Sequence, residues 1–275
     1  MKPQTWPTVT PALTALALVA AIALAAPAAA AEKLNPAPTA KDWIALSRLP
    51  DWSGVWTPDV DDQDAQIVSD PTPWKPEVGA RVAKMIADDK AGRPFQVLKG
   101  CLPHAMPAFM LIMHNAFEIL ETPGRLTFLG EGEGNNLRRI YTDGRKHPDD
   151  PDANLFGHSV GHWEGDTMVI DTIAVAPEAF IAVSEGVGIP NNGDMHIVER
   201  IHLAKPGVLA DDMVITAPHV LSAPWKTTRY YTKSNYEILE GECAVGNFRE
   251  GKDKDGNTVY IPRPLNADGT VKLAD

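Results

Sequence analysis

From Gly157 to Thr172 the chain reads Gly-His-Ser-Val-Gly-His-Trp-Glu-Gly-Asp-Thr-Met-Val-Ile-Asp-Thr. Two short runs carrying Val, Ile, Thr and Trp flank a Glu164-Gly165-Asp166 turn, and that pattern predicts two antiparallel strands. The same stretch holds two histidines, a tryptophan and three carboxylates. It constrains fold class more tightly than function.

The pattern continues on both sides. Trp52-Ser53-Gly54-Val55-Trp56 reads as an opening strand with both tryptophans on one face. Phe117 to Glu121 and Arg125 to Leu129 flank a Thr122-Pro123-Gly124 turn. Asn136 to Thr142, Met195 to Leu203, Met213 to Ala217, Thr227 to Lys233 and Tyr236 to Glu242 complete the expected strands. One convincing helix is predicted from Pro76 to Lys90, with Pro76 at the first helical position and Gly92 and Pro94 after its end. Closely spaced strands with one clear helix predict a mainly β fold, an antiparallel β-barrel with one or two peripheral helices. A closed barrel is preferred because it leaves no exposed edge. The apolar, Gly-bearing stretch Pro177 to Asp194 interrupts the strands. It fits either a lid over the barrel mouth or a packed Ω-loop.

The ends read differently. Met1-Lys2, an apolar Ala-rich run and Ala28 to Ala31 predict a signal peptide over residues 1–31, hence a periplasmic or secreted protein. Residues 32–50 form a flexible lead, 51–250 the barrel domain, and 251–275 a polar tail. The formal charge of −11 disfavours nucleic acid or an anionic membrane as partner, and no span is expected in the mature chain. Cys101 and Cys243 form a disulfide or stay as two buried thiols; both readings stand.

Eight histidines invite a metal. His158 and His162 are four apart, but along a strand that is about 13 Å, too far for one ion with bonds of about 2 Å. No metal and no other cofactor is expected, and the acidic Gly130-Glu131-Gly132-Glu133-Gly134 loop would repel a nucleotide's phosphates. Gly157-His158-Ser159-Val160-Gly161 has the form of a serine-hydrolase elbow, yet no helix follows it. Acid–base chemistry fits better. Glu199 shares a strand face with Ile197, Ile201 and Leu203, where burial makes it either a general acid or base or the partner of Arg138, Arg139 or Arg229. Asp171 has the same two readings.

Several segments resemble a large family of exported bacterial proteins with lipocalin-like barrels: Trp52-Ser53-Gly54-Val55-Trp56; Cys101-Leu102-Pro103; Glu118-Ile119 with Thr122-Pro123-Gly124-Arg125; Arg138 to Arg145 with His147-Pro148; the 157–172 stretch; and His196-Ile197-Val198-Glu199-Arg200. The resemblance implies a barrel fold and no particular activity. His162 stands where arginine is frequent in that family, and Pro190-Asn191-Asn192 replaces a Pro-His-Ser. Its members are frequent in bacteria that degrade aromatic compounds, which suggests a substrate class.

The expectation is a cofactor-independent lyase or isomerase working by His/carboxylate proton transfer on a small apolar, aromatic (lignin-derived or polycyclic) molecule. His158, Glu199, Asp171, His162 and His196 are the candidate catalytic residues. Arg138 or Arg139 would hold an oxyanion, and Trp163, Trp225, Tyr230 and Tyr231 would line the substrate pocket. The alternatives are a periplasmic carrier without turnover and a metal-dependent enzyme.

Overall fold

Nine strands close into a ring: β1 (Gly54–Pro58), β2 (Phe117–Thr122), β3 (Arg125–Gly130), β4 (Leu137–Tyr141), β5 (His158–Glu164), β6 (Thr167–Ile173), β9 (His196–Lys205), β10 (Val208–Thr216) and β11 (Trp225–Ser234). Around the barrel the order is β1-β11-β10-β9-β6-β5-β4-β3-β2. Two hairpins stand apart from the ring, β7 (Phe180–Ser184) with β8 (Val187–Pro190), and β12 (Phe248–Lys252) with β13 (Thr258–Pro262). Among the helices with described bounds are α1 (Ala40–Leu46), α2 (Pro76–Lys90), α3 (Ala108–Leu111) and α4 (Gly132–Asn135). This is a computed structural model, and it describes residues 35–61, 63, 69–93, 104–184, 186–241, 248–252, 254, 256 and 258–262. The expected signal peptide, both cysteines and the end of the tail lie outside them. No helix among the described residues is long and apolar enough to cross a membrane.

A ring with an odd number of strands cannot alternate direction all the way round. The mismatch falls between β4 and β5, which run parallel at Ile140↔Ser159 and Tyr141↔Val160, while the other neighbours in the ring are antiparallel. The expectation of a purely antiparallel barrel is corrected at this one seam. Parallel neighbours need a crossover of about a dozen residues or more, and the loop of residues 142–157 supplies it.

The barrel interior is packed. Phe117, Ile119, Leu126, Phe128, Ile140, Met168, Ile170, Ile197, Ile201, Leu209, Met213 and Ile215 are all buried, as the two-residue alternation of the strands requires. Trp52 and Trp56 are both buried, and Trp56 Nε1 donates to the Trp52 carbonyl at 2.8 Å. Helix α3 is buried along its whole length. Inward Tyr231 donates to the Met110 carbonyl at 2.5 Å, and inward Arg229 donates from Nε to the Leu111 carbonyl at 3.0 Å, so α3 fills the interior from its end.

The predicted helix Pro76–Lys90 forms with the expected bounds and buries Val78 and Val82. It packs against β8, and α3 packs against β7. The stretch Pro177 to Asp194 is therefore a packed hairpin, with Ile181, Val183, Val187 and Ile189 buried. The lid reading gives way: apolar side chains already covered by two helices have no reason to open. Tyr236 to residue 241 carries no strand; it runs beside α4, where Asn135 Nδ2 donates to the Leu239 carbonyl and Gly241 N donates to Asn135 Oδ1.

Candidate functional site

Strand alternation sorts the 157–172 stretch into two faces. Ser159, Met168, Ile170 and Thr172 point inward and are buried, and half-buried Trp163 joins them edge-on against Trp52, ring centres 4.7 Å apart. His158, Val160, His162, Val169 and Asp171 point outward. The glycines serve packing. Gly157 has φ +67, and a Cβ there would sit 2.6 Å from the Ile173 carbonyl oxygen; a Cβ on Gly161 would sit 2.9 Å from Ile140 Cγ2. Ser159 Oγ and Thr172 Oγ1 share a hydrogen bond of 2.8 Å with no exposure to solvent, so the serine of the elbow-like motif is a core residue.

Inside the barrel, charges are buried in pairs. Arg138 grips Glu199 with both terminal nitrogens, Nη1 to Oε1 at 2.8 Å and Nη2 to Oε2, and both side chains are fully buried. Burial, the largest single influence, pulls the Arg138 guanidinium down, but Glu199, Asp211 and Tyr231 together outweigh it and the net shift is upward. Asp211, also fully buried, is pushed well above the usual carboxylate range by burial and then by the charge of Glu199. Its two oxygens meet no protein N–H or O–H donor, while the Glu199 carboxylate lies within hydrogen-bonding reach. Two carboxyl groups so placed share a proton. Glu199 is held by Arg138, so the proton stays on Asp211. Tyr231, nearby, is raised by burial and by Asp211. Of the two sequence readings of Glu199, the ion pair with Arg138 is the one the fold builds.

Outside the barrel, four ionisable side chains form a line. His158 Nδ1 meets His147 Nδ1 at 2.8 Å, His147 Nε2 meets Asp171 Oδ1 at 3.0 Å, and His196 Nε2 meets Asp171 Oδ2 at 3.0 Å. Tyr141 stacks on His158 at 5.4 Å with 27° between the planes. The Arg145 guanidinium lies 4.0 Å over the Tyr141 ring and is held by Asp143. Asp171 and His196 are about half exposed, while His147 is mostly covered (side chain 19% exposed). Burial first, then the neighbouring His147 and Arg145, push the His158 imidazole below its ordinary value.

The bonding pattern sets the hydrogens that face Asp171. A carboxylate only accepts, so His147 Nε2 and His196 Nε2 carry hydrogens toward Asp171. With one hydrogen on its ring, His147 has a bare Nδ1 that accepts from His158 Nδ1–H. His158 Nε2 is left as a free lone pair, poised to take a proton.

Among the residues expected to act together, His158, Asp171 and His196 do meet. Glu199 does not join them: it faces inward and His158 outward, so the barrel wall separates the proposed catalytic pair. His162 belongs to a different cluster, with Glu164 at 3.2 Å and Arg200 on the same carboxylate. The arginines divide likewise, Arg138 inward and Arg139 outward and exposed. Trp225 and Tyr231 are core residues whose polar tips are taken, Trp225 Nε1 by the Asp70 carbonyl at 2.9 Å and Tyr231 by Met110. Tyr230 is on the outer face of β11. Sequence reasoning missed His147, Tyr141 and Arg145. The signal available was the cluster of Asp143, Gly144, Arg145 and His147 in the connection between two expected strands.

Among the described residues, no three His, Cys, Asp or Glu side chains converge to hold a metal ion; the outer four lie in a line and do not surround a point. Compared with known proteins, the chain matches no family model and no curated protein.

Proposed function

We propose that this protein is an exported, cofactor-independent enzyme of lyase or isomerase type, with His158 as general base, acting on a small apolar aromatic compound. The observation that carries the reading is the line His158–His147–Asp171–His196 on the outer barrel wall. His158 Nε2 removes a proton from the substrate. His158 then passes its Nδ1 proton to His147 Nδ1, and the positive charge comes to rest beside the Asp171 carboxylate. The Asp171 carboxylate stabilises the imidazolium, the role a carboxylate plays in any oriented His base. Return of the proton to another atom completes an isomerisation; return to a departing group completes an elimination. A positioned base of this kind contributes about 10²–10⁴ in rate. The lowered basicity of His158 keeps it neutral near pH 7, the form the step requires. Aromatic substrates are favoured by the family resemblance, and export by the N-terminal segment.

The test is turnover of a panel of aromatic compounds by the wild type and by His158→Ala, His147→Ala and Asp171→Asn. Folded variants that turn over as fast as wild type sink the assignment. A second reading, a carrier that binds a small molecule and releases it unchanged, draws on the barrel fold class and not on the packed interior. Mass spectrometry of what co-purifies separates the two: an unaltered ligand together with no turnover favours the carrier.

A further inference from the structure

We infer that Arg139 and Arg125 form the anion-binding half of this site, and that its substrate carries a carboxylate; the inference rests on His158 as base. Residues Ile140 and Ser159 are paired across the parallel seam. Their preceding residues, Arg139 and His158, are therefore side by side on the outward face. Arg125 is opposite Tyr141, and Thr127 opposite Arg139, so the two arginines are diagonal neighbours on the same face, about 7–8 Å apart.

What distinguishes them is their isolation. Three other charged groups on this wall have partners: Arg145 has Asp143, Asp171 has two histidines, and Arg200 has Glu164. Neither Arg125 nor Arg139 bonds or ion-pairs with any described residue through its side chain. Their lateral neighbours on β2, β3, β4 and β5 are Thr122, Thr127, Tyr141 and His158, with no carboxylate among them. In a chain of net charge −11, two adjacent guanidinium groups left without an acidic partner form a local positive field. Guanidinium forks match the geometry of a carboxylate, which accepts two parallel N–H bonds. A carboxylate held there lays the rest of a small molecule over Thr127 and Tyr141, with His158 Nε2 within reach.

The probe is benzoate, with benzamide as its neutral counterpart, titrated into the isotopically labelled protein and followed by amide chemical shifts. Saturable shifts on β3, β4 and β5 with benzoate and none with benzamide are expected. Arg139→Gln should weaken benzoate at least about tenfold, the loss of a charge-assisted pair worth some 1.5 kcal/mol or more. No saturable shift in the wild type, equal shifts with benzamide, or undiminished binding by Arg139→Gln overturns the inference. His158→Ala should keep benzoate binding. If it also keeps turnover, the catalytic reading fails while the anion site stands.

Discussion

Nδ1 of His147 lies 2.8 Å from Nδ1 of His158, a separation that holds one hydrogen and not two. When both imidazoles become cations each Nδ1 carries a hydrogen and the contact breaks. The groups around the pair are Arg139 and Tyr141 beside His158, with Asp143, Arg145, Asp171 and His196, and of these only Asp171 bonds His147 directly. His158 titrates below its ordinary 6.5 in the folded chain, so as pH falls through 6.5 the unfolded chain takes up that proton first. Stability therefore drops as pH falls through this window and stops dropping below the folded value. Hydrogen exchange of residues 143–157, followed from about pH 7.5 to about pH 5 across the imidazole range, should speed up at the acid end beyond the intrinsic rate. In His147→Asn the acid-induced change should shrink, leaving only the part due to the burial of His158. Equal protection of the wild-type loop at both ends contradicts this account.

Glu199→Gln leaves Arg138 charged in the barrel interior without its counter-ion. Removing one partner of a buried pair costs about 3–5 kcal/mol, and urea denaturation should show a loss of that size. Since Glu199 faces away from His158, turnover per folded molecule should be unchanged at low temperature. A large fall in turnover with little loss of stability would restore Glu199 to the chemistry.

Asp211→Asn tests the shared proton. Burial raises Asp211 in the folded state, so the folded chain holds this proton more tightly than the unfolded one. Its contribution is fully present at acid pH and declines as pH rises above the ordinary 3.8, by about 1.4 kcal/mol per pH unit until the folded value is reached. An amide donates to Glu199 at every pH. Denaturation midpoints of Asp211→Asn should therefore gain on wild type as pH rises, and a parallel pair of curves would refute the sharing.

Gly161→Ala and Ser159→Ala separate packing from chemistry in the elbow-like motif. The added methyl at 161 meets Ile140, Met168 Sδ at 3.0 Å and the Val169 carbonyl at 3.2 Å, an overpacking worth about 1–3 kcal/mol of lost stability. Ser159→Ala takes one of two hydrogen-bond partners from the Thr172 hydroxyl, which keeps Arg138 Nη2 at 3.4 Å, at a cost of about 1 kcal/mol, and should leave turnover intact. A turnover-dead but stable Ser159→Ala would reinstate the serine as nucleophile.

The hairpin at Glu164–Thr167 and the helix from Pro76 were legible because each follows a local rule: a period of two with a turn between, or a first-turn proline with apolar residues at helical spacing. The inward and outward faces of β9 were legible for the same reason, down to Glu199 lying among Ile197 and Ile201. Which face was the interior was not, because alternation fixes two faces without naming them. His147 stayed hidden for a different reason. Its neighbours are His158 and Asp171, eleven and twenty-four residues away, and only the parallel seam brings its loop back along the wall. The pairing of His158 with Glu199 failed because the barrel wall divides residues that sequence reasoning could only count together.

Closing the ring on nine strands also governs how this chain can change by descent. β4 and β5 run the same way, so the connection between them must travel the length of the wall. Deletions that cut it below about a dozen residues would prevent closure, whereas insertions add only a logarithmic entropy cost. Segment 142–157 can grow but can lose only a few residues. Arg145 and His147 are thus carried past the same patch of wall in every descendant that still closes, whatever those side chains become.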